Sequence, residues 1–139
     1  MASASDATPK PIAAPAAVRR ILVVDDNADA AESLAAILSL TGNETRAVND
    51  GLQAISEAEA FRPDVMLVDI GMPRVSGHDV ARTIRAKPWG SAPLLIALTG
   101  WTQESDRQRS HDAGFDLHLS KPVDPAMLQE LIIRNTATG

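Results

Sequence analysis

A chain of 139 residues, 45% of them hydrophobic, is long enough to bury one core and too short for two full domains. Thirteen basic against eighteen acidic side chains leave a net charge of −5, which disfavours attraction to nucleic acid or to anionic membranes as the main activity. The absence of cysteine excludes disulfides, zinc–thiolate sites and thiol redox chemistry, and no apolar run approaches the roughly 18 to 20 residues needed to cross a bilayer. A soluble, cytoplasmic protein is the expectation.

Residues 1–18 are rich in Ala, Ser and Pro, lack a basic start, and carry Pro9, Pro11 and Pro15 where a signal peptide needs an unbroken apolar segment. They read as a flexible tail or linker, with a tether to another domain and a plain disordered extension both open. The folded domain is expected over 19–137. From Arg20 onward, short β-branched runs alternate with helical periodicity five times, strand before helix, which is the pattern of a parallel sheet covered on both faces. The first run, Ile21-Leu22-Val23-Val24, fits a strand buried on both sides and stops at Asp25-Asp26. Ala30, Leu34, Ile37, Leu38 and Thr41 then recur at helical spacing, and Gly42 supplies a stop.

Residues 44–48 form a weaker strand, followed by Asn49-Asp50-Gly51 as turn and cap and by a helix with Ala54, Ile55, Ala58 and Phe61 on one face, closed by Pro63. The third strand, within 64–69, is another buried run and again ends in a carboxylate, Asp69. A loop over 70–77 with Pro73 precedes a helix marked by Val80, Ala81 and Ile84. Pro93 opens the strand 94–98, which stops at Thr99-Gly100; Thr102 caps a polar helix, poor in apolar residues, running to Gly114. The fifth strand, 116–119, closes on Ser120-Lys121-Pro122, and Asp124 and Pro125 start a last helix whose apolar face is Met127, Leu128, Leu131 and Ile132. No effector domain is expected after it.

In an open α/β sheet, ligands bind at the carboxyl ends of the strands, near the point where strand order reverses. The residues standing there are Asp25, Asp26, Asp69, Thr99 and Lys121. Three close carboxylates repel one another unless a cation sits among them, and an all-oxygen set without His or Cys points to Mg²⁺, with Mn²⁺ as a substitute. A carboxylate attacking phosphorus gives an acyl phosphate, whose charge a metal, a lysine and a hydroxyl then neutralise. Taken singly, these residues have plainer readings: Asp25-Asp26 as a helix cap, Thr99 as a turn residue, Lys121 as a solvated charge. A nucleotide-binding reading fails because no glycine-rich phosphate loop follows the first strand.

The segments Val23-Val24-Asp25-Asp26-Asn27, Leu67-Val68-Asp69-Ile70-Gly71-Met72-Pro73 and Lys121-Pro122, in this order and on these strand ends, resemble the response-regulator receiver domain over 19–133. The resemblance implies a flavodoxin-like three-layer α/β sandwich, a doubly wound five-stranded parallel sheet in order 2-1-3-4-5 with five helices. It implies a signalling switch rather than an enzyme, with Asp69 as phosphoacceptor, Asp26 as a direct Mg²⁺ ligand, Asp25 as a ligand through water, and the Gly71 backbone carbonyl as a further ligand. Thr99 is then the switch hydroxyl and Lys121 the phosphate-binding amine. The implied partners are a histidine kinase or histidine phosphotransfer protein as donor and a downstream protein effector reached through the fourth helix, fifth strand and fifth helix. The chain departs from the commoner family pattern at three positions. His118 stands where a switch Tyr or Phe is usual, and Gly71 and Trp101 occupy positions that tune the lifetime of the acyl phosphate. The rival from another class, a Mg²⁺-dependent phosphohydrolase with an Asp nucleophile, normally carries a second Asp two residues later, where this chain has Gly71.

Overall fold

The computed structural model describes residues 18–100 and 104–136; the predicted tail apart from Val18, Trp101 and the predicted cap Thr102 lie outside the described residues. The apolar runs form β1 (Arg20–Val24), β2 (Glu44–Val48), β3 (Val65–Asp69), β4 (Leu94–Thr99) and β5 (Leu117–Ser120). Between and after them lie α1 (Ala28–Ser39), α2 (Gly51–Phe61), α3 (Gly77–Arg85), α4 (Glu104–Ala113) and α5 (Pro125–Asn135). All strands pair in parallel, in the order β2-β1-β3-β4-β5. This is the doubly wound sheet expected from the resemblance. Strand order reverses between β1 and β3, so their carboxyl ends flank the crevice where such sheets hold ligands.

Alternation along each strand divides the core into two layers. Leu22, Val24, Met66, Val68, Leu95 and Ala97 meet Ala54, Ala58 and Phe61 of α2 and Val80, Ala81 and Ile84 of α3. On the other face, Ile21, Val23, Val65, Leu67, Ile96 and Leu98 meet Ala31, Ala35 and Leu38 of α1 and Leu128 and Ile132 of α5. Because β1 and β3 are covered on both sides, nearly every side chain along them is apolar, and all five residues of β3 are buried. Replacing Leu67, fully buried in the central strand, with Ala is expected to cost about 2 to 5 kcal/mol in chemical denaturation. Leu40→Ala, at a position 84% exposed, should stay within about 0.5 kcal/mol of the parent.

The structure rotates two predicted helix faces. In α1 the buried residues are Ala31, Ala35 and Leu38, while Ala30 is exposed and Ile37 is 43% exposed; Thr41, expected on the helix face, lies exposed in the turn beyond the helix end. Small side chains let α1 lie close to the sheet, and the larger Ile37 is left outside. In α5, Leu128 and Ile132 point inward, whereas Met127 is 58% exposed. The polar fourth helix is tied down by buried Ala113 and by Ser110, 1% exposed, whose Oγ lies 3.2 Å from His78 Nε2 on α3. The fifth strand runs one residue later than expected, Leu117–Ser120, and just before it the Asp116 amide donates to Leu95 O at 2.8 Å while the Asp116 carboxylate accepts from the Leu95 amide and pairs with Arg85.

Candidate functional site

The ends of β1 and β3 deliver the carboxylates. Past Val24 the Asp25 amide still donates to Val48 O at 3.2 Å, which keeps the chain in the sheet for one more residue and leaves Asp25 only 4% exposed. Its Oδ1 accepts from the Asn27 amide at 2.9 Å, and Asn27 in turn caps α1 by accepting from the Ala30 amide. The turn from β1 to α1 therefore leaves Asp26 exposed at the rim and Asp25 inside. Asp69 is the last residue of β3, 9% exposed, in register with Leu98 of β4. One carboxylate oxygen from each of Asp25, Asp26 and Asp69 falls within 4.8 Å of the others.

Lys121, just beyond β5, reaches back across this group. Its ammonium donates to Asp25 Oδ2 at 2.9 Å and lies 3.4 Å from Asp69 Oδ2. The other Asp69 oxygen, Oδ1, accepts from the Gly71 amide at 2.9 Å. Burial pushes the Asp69 carboxyl above the usual carboxylate value, and repulsion from Asp25 adds to this, against the opposing pull of the Gly71 amide and Lys121. For Lys121, burial works against the charged ammonium, but the Asp25 hydrogen bond and the attraction of Asp69 and Asp25 outweigh it and raise its pKa above that of an ordinary lysine. The Lys121 ammonium, on a side chain 35% exposed, is thus held charged by the two carboxylates it faces, while Asp69 keeps its charge against its burial. Oxygen donors at this spacing, without nitrogen or sulfur among them, suit a small hard divalent cation.

Thr99, 4% exposed, ends β4 beside Asp69, and its carbonyl accepts from the Lys121 amide at 2.7 Å, which links the ends of β4 and β5. His118 sits half-buried on β5 opposite Ala97, facing the opening between α4 and β5 that Ser110, His111 and Phe115 also line. The fold thus draws Asp25, Asp26, Asp69, Gly71 and Lys121 into one cluster, with Thr99 at its edge and His118 further along β5; Trp101 lies outside the described residues. Sequence reasoning placed Asn49 only in a turn and missed the bond its Nδ2 donates to the Asp25 carbonyl oxygen at 3.4 Å, as well as the cap of Asn27. The cap was within reach, since Asn two or three residues before a helical pattern is a standard start signal.

At the position where a phosphohydrolase of the rival kind carries its acid, Gly71 offers only backbone, and its amide is engaged with the nucleophile candidate itself. The comparisons with known proteins agree. A family model described as the response regulator receiver domain matches residues 21–133. The chain is 37% identical over 116 residues, 84% of its length, to the DNA-binding response regulator MtrA of Mycolicibacterium paratuberculosis, of which the match covers 49%. It therefore spans about half the length of that relative. Among solved structures, the chemotaxis protein CheY4 of Vibrio cholerae superposes with a TM-score of 0.80 at 26% identity, covering 85% of this chain and 98% of that one. The receiver domain of the sensor histidine kinase PA1611 of Pseudomonas aeruginosa, solved with magnesium in its active-site cleft, gives 0.76 at 36% identity, covering 85% and 97%. Strand order, acidic crevice and family match converge, and the chain belongs to the response regulator receiver domain family.

Proposed function

We propose that Asp69 accepts a phosphoryl group from a phosphohistidine on a histidine kinase or histidine phosphotransfer protein. The observation that carries this reading is the placement of Asp69 between a lysine ammonium at 3.4 Å and two further carboxylates at the switch point of the sheet. A carboxylate oxygen of Asp69 attacks phosphorus, the P–N bond to the donor imidazole breaks, and the imidazole leaves with the electron pair and takes up a proton. Asp25, Asp26, Asp69 and the Gly71 carbonyl would hold Mg²⁺, or Mn²⁺ in its place, which when bound supplies positive charge to the phosphoryl oxygens. Lys121 gives up part of its pairing with Asp25 to neutralise the transferred group. Thr99 donates its hydroxyl to a phosphoryl oxygen.

Movement of Thr99 at the end of β4 is passed to His118 on the neighbouring strand and alters the surface of α4, β5 and α5, where a protein effector docks. With a net charge of −5, the domain itself makes no nucleic-acid contact in this reading, and its place of action is the cytoplasm. Among the described residues no helix is long and apolar enough to cross a membrane.

Intact-mass measurement after incubation with Mg²⁺ and a small phosphodonor tests the acceptor role. One phosphoryl adduct is expected on the parent and none on Asp69→Asn. Absence of an adduct on the parent with every acyl-phosphate and phosphoramidate donor tried, or an undiminished adduct on the variant, would remove Asp69 from this role.

A further inference from the structure

The loop between β3 and α3 carries Gly71, whose amide holds Asp69, and it is gripped from two sides by residues that lack a side chain. Gly51 opens α2 and packs against the loop at Val75: a Cβ placed on it would stand 2.6 Å from Val75 Cγ1, 2.7 Å from Val75 Cβ and 2.7 Å from Val75 O. Gly77 opens α3 and packs against the acceptor strand itself. There a Cβ would stand 2.6 Å from Ile70 Cα, 2.8 Å from the Asp69 carbonyl oxygen and 3.1 Å from Ile70 Cγ2. Carbon atoms in ordinary contact are about 3.5 to 4.0 Å apart, so both approaches exist only because these residues are glycine.

Ala54, Ala58 and Phe61 of α2 and Val80, Ala81 and Ile84 of α3 are buried in one core layer against the sheet, so neither helix is free to withdraw, and the start of each is fixed by its own cap. Asp50 caps α2 by accepting from the Gln53 amide at 2.8 Å, and Ser76 and Asp79 form a reciprocal capping box on α3. On the other side, the Ile70 amide donates to Leu98 O at 3.0 Å, which fixes the start of the loop to β4. Between the two grips Arg74 is held at φ 64, a left-handed conformation that a non-glycine residue adopts at a cost and that the surrounding packing must impose.

We infer that Gly51 and Gly77 are positioning residues of the acidic site: by letting α2 and α3 close on the 70–76 loop, they set where the Gly71 carbonyl and the Asp69 carboxylate stand. The metal part of this inference rests on the proposed function above. Helix propensity points the opposite way, since Ala is the better helix former at an N-terminal helical position. A loss of site function in the Ala variants therefore comes from the displaced loop and not from a weakened helix.

The test uses Gly51→Ala, Gly77→Ala and Val75→Ala, with Ala35→Gly in the opposite core layer as a control of general destabilisation. Two quantities are read by NMR: the exchange rate of the Gly71 amide, and the Mg²⁺ affinity from amide shifts at Asp25, Asp26 and Asp69. Faster Gly71 exchange and a roughly 10- to 100-fold weaker Mg²⁺ affinity are expected in both glycine variants. Val75→Ala, which adds no bulk and cannot jam the fold, should shift both in the same direction by less, and Ala35→Gly neither. Wild-type exchange and affinity in the folded glycine variants, or in Val75→Ala should those fail to fold, would overturn the inference. If the parent protein binds no Mg²⁺, the metal-dependent reading of the site fails instead, and Gly71 exchange still decides whether the grip positions the loop.

Discussion

Asp69→Asn is expected to make the domain more stable without Mg²⁺ and less stable than the parent with it. The Asp69 carboxyl is raised above its ordinary value of 3.8, by burial first and by the neighbouring Asp25, despite the Gly71 amide and Lys121. A group raised in the folded state contributes stability that is fully present below its unfolded value and is lost as pH rises through its folded value. Above that window, ionised Asp69 is carried at a net cost, which asparagine removes while retaining an oxygen for the Gly71 amide. The gain should be on the order of 1 kcal/mol, or about 4 °C in thermal midpoint, at neutral pH and should fade in acid.

Adding the metal inverts the order. A cation that binds only the folded state stabilises it by about 2.7 kcal/mol at a hundredfold excess over its Kd, and the variant lacks one of the charges that hold the ion. Melting curves at two pH values, with and without Mg²⁺, check both halves. A metal-free variant that melts below the parent at neutral pH would show that the Asp69 charge is not held at a cost.

The residues that could be read in advance are those whose placement depends on one strand alone. β1 and β3 announce themselves as unbroken apolar runs, and a parallel sheet sends whatever follows them to the same edge, so Asp25, Asp26 and Asp69 were legible as neighbours. The inner face of α1 was not. Periodicity weights large side chains, whereas close packing on the sheet selected Ala31 and Ala35 and left Ile37 outside. The hold on α4 was equally hidden, because Ser110 is polar in sequence and becomes a core residue only through His78, thirty-two positions away. Asp50-Gly51 read correctly as a turn and cap, but the contact of Gly51 with Val75 is tertiary and leaves no local trace. That Lys121 lies closer to Asp25 than to Asp69 also follows from three-dimensional placement alone.

That pairing makes Lys121→Ala the variant with the largest expected effect on phosphoryl transfer short of losing Asp69. Removing the ammonium withdraws the hydrogen bond to Asp25, a carboxylate only 4% exposed, and the attraction to Asp69. Breaking a fully buried pair costs about 3 to 5 kcal/mol. The lysine side chain here is 35% exposed and solvent screens part of the loss, so about 1 to 2 kcal/mol is expected in the metal-free protein. Because the lysine is held above its ordinary value of 10.5, its contribution is complete below that pH and is lost as pH rises through the folded value. Parent and variant should therefore converge in strongly alkaline solution. The loss should also shrink in an Asp69→Asn background, where the ammonium has one charge fewer to offset, and a double-mutant cycle measures the difference. For the reaction, taking away one preorganised positive group beside the incoming phosphoryl oxygens should slow adduct formation roughly 100-fold. Lys121→Arg retains the charge but offers a planar fork in place of a compact ammonium, and so should restore stability more fully than rate. Equal recovery of both would mean that Lys121 acts on the site through net charge alone, and an unchanged rate in Lys121→Ala would exclude it from phosphoryl binding.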